Sequence, residues 1–360
     1  MSPNSARLAG IAIVTGLAAC AAPRGSANPS PAAVEPGAAV ASVTSAASPD
    51  TARHAAASHD GSTRPRATDG AVHVAAHGAS HAAAPIALTA RARAQLDSAR
   101  RAATPFATPQ AARAAGYRPV FGNVPLQGEH WVRSDLVLGE TIDLARPPVL
   151  MFAPVRGVQT LVGAAYAYVR PAGSAPPALF DGAAAAWHEH PRLAGARGRT
   201  LQMLHVWFTD APDGPFARYN PRLPFLATGL ALPADAALAD AASDTTTRRL
   251  ALALASAETP PLLFELLERQ ATPAVRERVA RERAAIRAAI PALATAERLR
   301  DDAGRRKATD TIIAHGDALV RALRAAMPAR PIAARLVDRT VDEFMGRGHG
   351  IEEELEALLP

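Results

Sequence analysis

The sequence predicts an α+β fold: a small antiparallel β core with flanking N-terminal helices, followed by a C-terminal helical bundle. Three observations carry this. Apolar residues recur at helical spacing before Gly116 and again from about residue 242 onward. Between these regions, Tyr117 to about Pro233 is poor in helical periodicity and rich in aromatics, glycine and proline. Within that stretch two apolar runs flank Arg156-Gly157, the spacing of an antiparallel hairpin.

The chain divides into 1–19, a leader; 20–86, a linker; 87–241, an α+β domain with a His/Trp-rich core; and 242–360, a helical domain. In the leader, Arg7 precedes the apolar run Leu8–Ala19, about as long as a signal h-region and shorter than a bilayer span. It closes on Leu17-Ala18-Ala19-Cys20, which resembles the bacterial lipobox. That resemblance implies signal removal, lipidation of Cys20 with palmitate-type acyl chains, and attachment to the bilayer. With Ala21 rather than aspartate after the cysteine, it implies the outer membrane, facing periplasm or exterior. Several acyl chains make such an anchor stable, each buried methylene contributing roughly 0.8 kcal/mol. Cys20 is the chain's only cysteine, so lipidation leaves no thiol for a disulfide, a metal or a nucleophile.

The linker is Ala, Ser, Pro, Gly and Thr, with almost nothing large and apolar to offset the entropy of ordering it. It carries His54, His59, His73, His77 and His81. The last three are four apart, a spacing suited to weak capture of a borderline metal, although a polar spacer explains them as well.

From Leu88 to about Ala103 a helix is expected, with Leu88, Ala92, Leu96 and Ala99 on one stripe and Thr104-Pro105 ending it. A short helix follows from Pro109, with Thr108 as N-cap and Gly116 at C'. Val149–Phe152 and Gln159–Val169 read as the hairpin strands. Leu201–Phe208 reads as a central strand, because both of its faces are apolar: Leu201, Met203, His205 and Trp207 on one side, Gln202, Leu204, Val206 and Phe208 on the other. Helices are then expected at Pro261–Arg269, from Thr272-Pro273 through Leu293, at Thr309–Met327, at Ile332–Met345, and in a short acidic stretch from Ile351 to Leu359.

The formal charge is +6, carried almost wholly by arginine, since Lys307 is the only lysine. In the densest helical stretch Glu277 and Glu282 sit between arginines, so the positive charge does not cluster. That argues against a nucleic-acid partner.

The candidate chemistry lies in four histidines. They fall in Gly128-Glu129-His130-Trp131, Trp187-His188-Glu189-His190 and Leu204-His205-Val206-Trp207, beside all three tryptophans. If Trp187–His190 is extended, His188 and His190 share a face and Glu189 points away. His205 would come from a neighbouring strand and His130 from a loop, with Glu129 as a further ligand or as the carboxylate that fixes an imidazole tautomer. Imidazoles in an aromatic-walled pocket suit Zn or Cu. Histidines bonded within the core, or an acid–base site, fit the same residues. His315 reads as a boundary residue and His349 as solvated.

Residues from about Arg91 to Pro221 resemble a family of functionally uncharacterised bacterial secreted and lipoprotein domains. The matching steps are Gly116-Tyr117-Arg118-Pro119, Gly128-Glu129-His130-Trp131, Leu161-Val162-Gly163-Ala164-Ala165-Tyr166, Leu204-His205-Val206-Trp207 and Ala211-Pro212-Asp213-Gly214-Pro215-Phe216-Ala217-Arg218-Tyr219-Asn220-Pro221. The resemblance implies that His130 and His205 belong to one shared site. It brings no reaction. Ala165 stands where the family often has an acid, so Glu129 or Glu189 would have to replace it. Ala211 stands where the pattern has asparagine.

The functional expectation is a non-catalytic, metal-binding, lipid-anchored envelope protein. The alternatives are an envelope module that docks a protein partner through residues 245–345, and a metal-dependent hydrolase or oxidase with an open ligand position.

Overall fold

A computed structural model describes residues 88–139, 143–191, 193–194, 197–232, 245–325 and 331–345, and within them the fold is α+β. The leader with Cys20, the five linker histidines, Met327, His349 and the acidic Ile351–Leu359 stretch lie outside the described residues.

The chain enters through α1 (Ala90–Ala103) and α2 (Pro109–Ala114). Thr89 and Thr108 cap them, their hydroxyl oxygens accepting from Ala92 N at 3.0 Å and Ala111 N at 3.2 Å. Gly116 takes φ +93° just past α2, as a C' glycine does.

Six strands follow: β1 (Arg118–Val124), β2 (Gly128–Val132), β3 (Val149–Val155), β4 (Val158–Pro171), β5 (His188–His190) and β6 (Arg199–Trp207). The one-turn helix α3 (Ser134–Val137) separates β2 from β3. The sheet order is β1-β2-β3-β4-β6-β5, with every neighbour antiparallel. β3 and β4 join through Arg156 (φ 49°) and Gly157 (φ 77°), the two positive-φ residues of a tight hairpin turn. β6 lies between β4 and β5 and is buried from Thr200 to Trp207, as its two apolar faces require.

β1 and β2 were not expected as strands. Arg118–Val124 contains a proline and a glycine and is irregular between Pro119 and Asn123, which hides its alternation. One consequence is a correction: His130 sits on strand β2, not in a loop.

The two faces of the sheet differ. Leu150, Phe152, Ala164, Tyr166, Leu204 and Val206 face one way, packing with Ala99 and Ala103 of α1, Tyr117, Phe180 and Phe216. Val149, Met151, Ala165, Ala167, Leu201, Met203 and Trp207 face the other, with Val137 and Leu223.

The first of these faces holds deeply buried tyrosines. Burial pushes Tyr117 and Tyr168 each up to about 12 from the ordinary 10, and raises Tyr166 as well. The hydroxyls of Tyr117 and Tyr166 donate to Pro147 O and Leu144 O, each at 2.7 Å. The unfolded chain therefore loses these protons before the folded one does. The stability they contribute is intact below pH ~10 and is lost as pH rises toward ~12. Alkaline titration followed at 295 nm is expected to show most tyrosinate appearing together with the loss of circular dichroism. Full ionisation of a still-folded protein would contradict this.

After α4 (Leu223–Thr228) come α5 (Thr245–Glu258), α6 (Leu262–Gln270), α7 (Pro273–Leu299), α8 (Asp302–Ala325) and α9 (Pro331–Phe344). Val279, Ile286 and Leu293 of α7 and Ile312, Leu319 and Leu323 of α8 face a common core around α5. α8 begins seven residues earlier than its apolar stripe predicts. The Asp301 carboxylate caps it, accepting from Ala303 N at 3.1 Å and Gly304 N at 3.0 Å.

Leu126 of the β1–β2 turn and Phe225 of α4 belong to this helical core, and Asn123 Nδ2 donates to Thr259 O at 2.6 Å. Among the described residues no single helix is long and apolar enough to cross a membrane; α5 with α6 reaches that length only as a pair bent by 55°.

Candidate functional site

β5 and β6 pair His188 with Met203 and His190 with Leu201, which leaves His205 two residues further along β6 on the same face. His188 and His190 do share a face, with ring centroids 4.9 Å apart. The His188 and His205 centroids are 5.1 Å apart, and those of His205 and His130 5.4 Å. The four rings form a file in the order His190, His188, His205, His130. His130, His190 and His205 are buried and His188 is half-buried.

The last contact spans the sheet. β2 and β6 are separated by β3 and β4, about 14 Å at ordinary strand spacing, yet His130 Nε2 lies 3.4 Å from His205 Nε2. Two extended imidazole side chains cover that distance only over a low floor. β4 supplies it with Gly163 and Ala165, which pair with Trp207 and His205. A Cβ on Gly163 would stand 2.4 Å from Met151 Cε and 2.7 Å from Val206 O. The β3–β4 register slips between Met151 and Phe152, which pair with Gly163 and Leu161 and leave Val162 as an extra residue. Such a bulge bends a strand and re-aims its neighbours, here directly beneath the two rings.

A strap over residues 208–221 holds the β6 end of the site. Trp207 N donates to Pro215 O at 2.8 Å and Trp207 Nε1 to Ala217 O at 2.7 Å. His205 Nδ1 lies 2.7 Å from Arg218 O. A carbonyl oxygen only accepts, so Nδ1 carries the proton, and in the neutral ring Nε2 presents its lone pair toward His130. Asn220, fully buried, locks the strap. Its Nδ2 donates to Thr209 Oγ1 at 3.2 Å and Asp210 O at 3.3 Å, its Oδ1 accepts from Arg222 N at 3.1 Å, and its backbone N donates to Leu126 O at 2.7 Å.

Several expectations need correction. The structure does not bring Glu129 to the histidines. It alternates with His130 along β2, and its Oε2 accepts from Trp131 Nε1 at 2.8 Å and Gln159 Nε2 at 3.2 Å. Glu189 likewise alternates with His188 and His190 and accepts from Gln202 Nε2 at 3.1 Å. The aromatic wall is one tryptophan rather than three. Trp207 shares the histidine face, its ring 6.0 Å from that of His205. Trp131 packs on Phe152 and Trp187 on the Leu204–Val206 cluster, both on the opposite face. Neighbours in a strand point in opposite directions, so sequence adjacency to histidine separated these rings instead of gathering them. His315, by contrast, is the boundary residue its position predicts: it is half-buried in α8, its Nδ1 2.7 Å from Glu282 Oε2 of α7.

Two methionines share the histidine face, Met203 as the alternation of its strand predicts and Met151 without a sequence signal. Met151 pairs with His130 across β2 and β3, and Met203 pairs with His188. Period-two alternation puts Met203 on the face of His205, whereas Met151 meets His130 only through the β2–β3 register. Among the described residues, no three His, Cys, Asp or Glu side chains are arranged as a ready ion cage. Comparison of the chain with protein-family models, with curated proteins and with solved structures returned no match.

Proposed function

We propose that this chain is a lipid-anchored protein of the cell envelope whose folded body binds a transition metal, Zn or Cu, without catalysing a reaction. The single observation that carries the metal reading is the 3.4 Å approach of His130 Nε2 to His205 Nε2. Two nitrogens each about 2.0–2.1 Å from a tetrahedral ion stand about 3.3–3.4 Å apart. A good hydrogen bond between them would be shorter, near 2.9–3.0 Å.

The bond from His205 Nδ1 to Arg218 O supports the same reading, because metal-ligating histidines commonly donate their other nitrogen to a carbonyl that sets tautomer and orientation. Burial of both rings favours tight holding over turnover, which needs an open position for water. His188, beside His205, is placed to turn a third imidazole toward the pair. The anchor rests on the lipobox-like Leu17-Ala18-Ala19-Cys20 and on the composition of the linker.

The test is metal content and affinity in the full chain, purified without a His-tag, with the five linker histidines changed to alanine. One Zn or Cu per chain is expected, and none in the His130→Ala/His205→Ala variant, with unchanged circular dichroism as the folding control. Metal saturating at about a thousand times Kd would stabilise the parent by about 4 kcal/mol, an increment the double variant lacks. A metal-free parent, or equal metal content in both proteins, overturns the reading.

A further inference from the structure

We propose that one end of the body, where the β3–β4 turn meets the α7–α8 turn, is a contact surface for an anionic lipid bilayer. The inference is independent of the metal reading. From the anchor reading it takes only that a bilayer lies near.

Exposure singles out the two turns. Among the described residues, the large apolar side chains left most exposed are Val158, at 66 %, and Leu299, at 68 %. Each stands at a tip: Val158 opens β4 just after Arg156-Gly157, and Leu299 ends α7. A single exposed apolar residue is ordinary. These two belong together, because residues 229–231 join their turns. A Cβ at Gly229 would lie 3.5 Å from Arg156 Cγ. Two residues on, the backbone N–H of Ala231 faces the Glu297 carboxyl. Leu230, between them, is buried in the helical core with Leu293 of α7. Two residues of chain span about 7 Å at most, so the β hairpin and the helical hairpin end side by side.

Charge surrounds the two apolar tips. Arg156, Arg298, Arg300, Arg305, Arg306 and Lys307 stand here against three acids, Glu297, Asp301 and Asp302. The acids are engaged. Asp302 lies 3.4 Å from Arg305, Asp301 caps α8 through Ala303 N and Gly304 N, and Glu297 turns to Ala231. The other five cations are exposed. Arg300 takes the left-handed position that ends α7, at φ 55°. Glycine is the usual residue there, so helix stability does not account for a guanidinium at that point.

An anionic bilayer rewards both features. Headgroup phosphates attract the cations, and the boundary with the acyl chains takes up valine and leucine. Nucleic acid would meet the arginines alone, since neither turn carries an aromatic ring to stack on a base.

The experiment uses the chain from residue 20 onward with Cys20→Ala, so that neither leader nor acyl chain reaches the vesicle. Vesicles of phosphatidylcholine with about one-third phosphatidylglycerol are compared with phosphatidylcholine alone. Binding is expected to the anionic vesicles, falling by about tenfold or more between about 0.1 M and 1 M salt as the screening length shortens from about 10 to 3 Å. One arginine near such a surface contributes about fivefold, so Arg298→Gln with Arg300→Gln should weaken binding by about ten- to thirtyfold. Val158→Thr with Leu299→Ser should weaken it by about fivefold or more. Arg278→Gln with Arg321→Gln makes the same change of charge about 30 Å along α7 and α8 from the tip and should leave binding within about twofold. All six positions are exposed, and circular dichroism checks the fold. With Cys20 replaced, the chain has no other cysteine. An environment-sensitive fluorophore on Leu299→Cys should therefore shift to the blue on anionic vesicles, and one on Arg278→Cys should not.

No binding, equal binding to phosphatidylcholine alone, equal loss in the distant arginine pair, or an equal shift of the two labels overturns the proposal. Self-association without vesicles that Val158→Thr with Leu299→Ser abolishes would assign this end to a second copy of the chain and overturn it as well. None of these outcomes alters the metal content or the acylation of Cys20, so both readings above stand or fall separately.

Discussion

Gly163→Val is expected to destabilise the protein by about 3 kcal/mol or more and to disorder the candidate site, because overpacking a filled core ordinarily costs about 1–3 kcal/mol. A Cβ at this position meets Met151 Cε at 2.4 Å and Val206 O at 2.7 Å. The methionine methyl ends a flexible side chain and can swing away. Val206 O cannot, because it belongs to the β6 backbone in the ladder that pairs Gly163 with Trp207. Valine adds two further methyls in the space that Met151 and the bridging imidazoles share. Thermal unfolding should fall by about 6–12 °C, taking about 2–4 °C per kcal/mol for a body of this size. Gly157→Asn, in the turn of the same hairpin, is the control. No atom lies within 4 Å of a Cβ there, and asparagine tolerates the positive φ of 77°. Its cost should stay below about 1 kcal/mol. Equal midpoints for the two variants would show that the floor is not close-packed.

Asn220→Ala is expected to cost about 2–3 kcal/mol and to weaken metal binding by about ten- to a hundredfold. The carboxamide ties Thr209, Asp210 and Arg222 together from a fully buried position, and alanine leaves Asp210 O and Arg222 N without it. The second effect is indirect. Asn220 stands two residues from Arg218, whose carbonyl fixes the His205 tautomer, so a loosened strap lets the ring turn. Asn220 touches no proposed ligand and acts as a positioning residue. Two readouts separate its roles: the unfolding free energy of the metal-free protein, and the metal affinity measured where that protein is fully folded. A stability loss with unchanged affinity would confine Asn220 to the fold.

The helices and the β3–β4 hairpin were legible because their signals are local. Thr108-Pro109, Thr272-Pro273 and Arg156-Gly157 act within a few residues, through capping and turn geometry. The shared face of His205 and Trp207 followed from alternation alone, whereas that of His188 and His190 depended on an extended state that the structure supplies. β1 and β2 escaped because a proline, a glycine and a register slip interrupt their pattern. Glu129 and the tryptophans were misjudged because sequence adjacency was taken for spatial adjacency, which a strand reverses at every residue.

The sequence by itself determined the composition of this protein: which stretches are able to pack, where helices start, and that imidazoles and tryptophans gather in one region. Only the tertiary structure decided which of them meet. The approach of His130 to His205 depends on two intervening strands, on a bulge at Val162 and on the absence of a side chain at Gly163. Sheet order and register arise from long-range pairing, which no local signal encodes, and a one-residue slip would turn each ring to the opposite face.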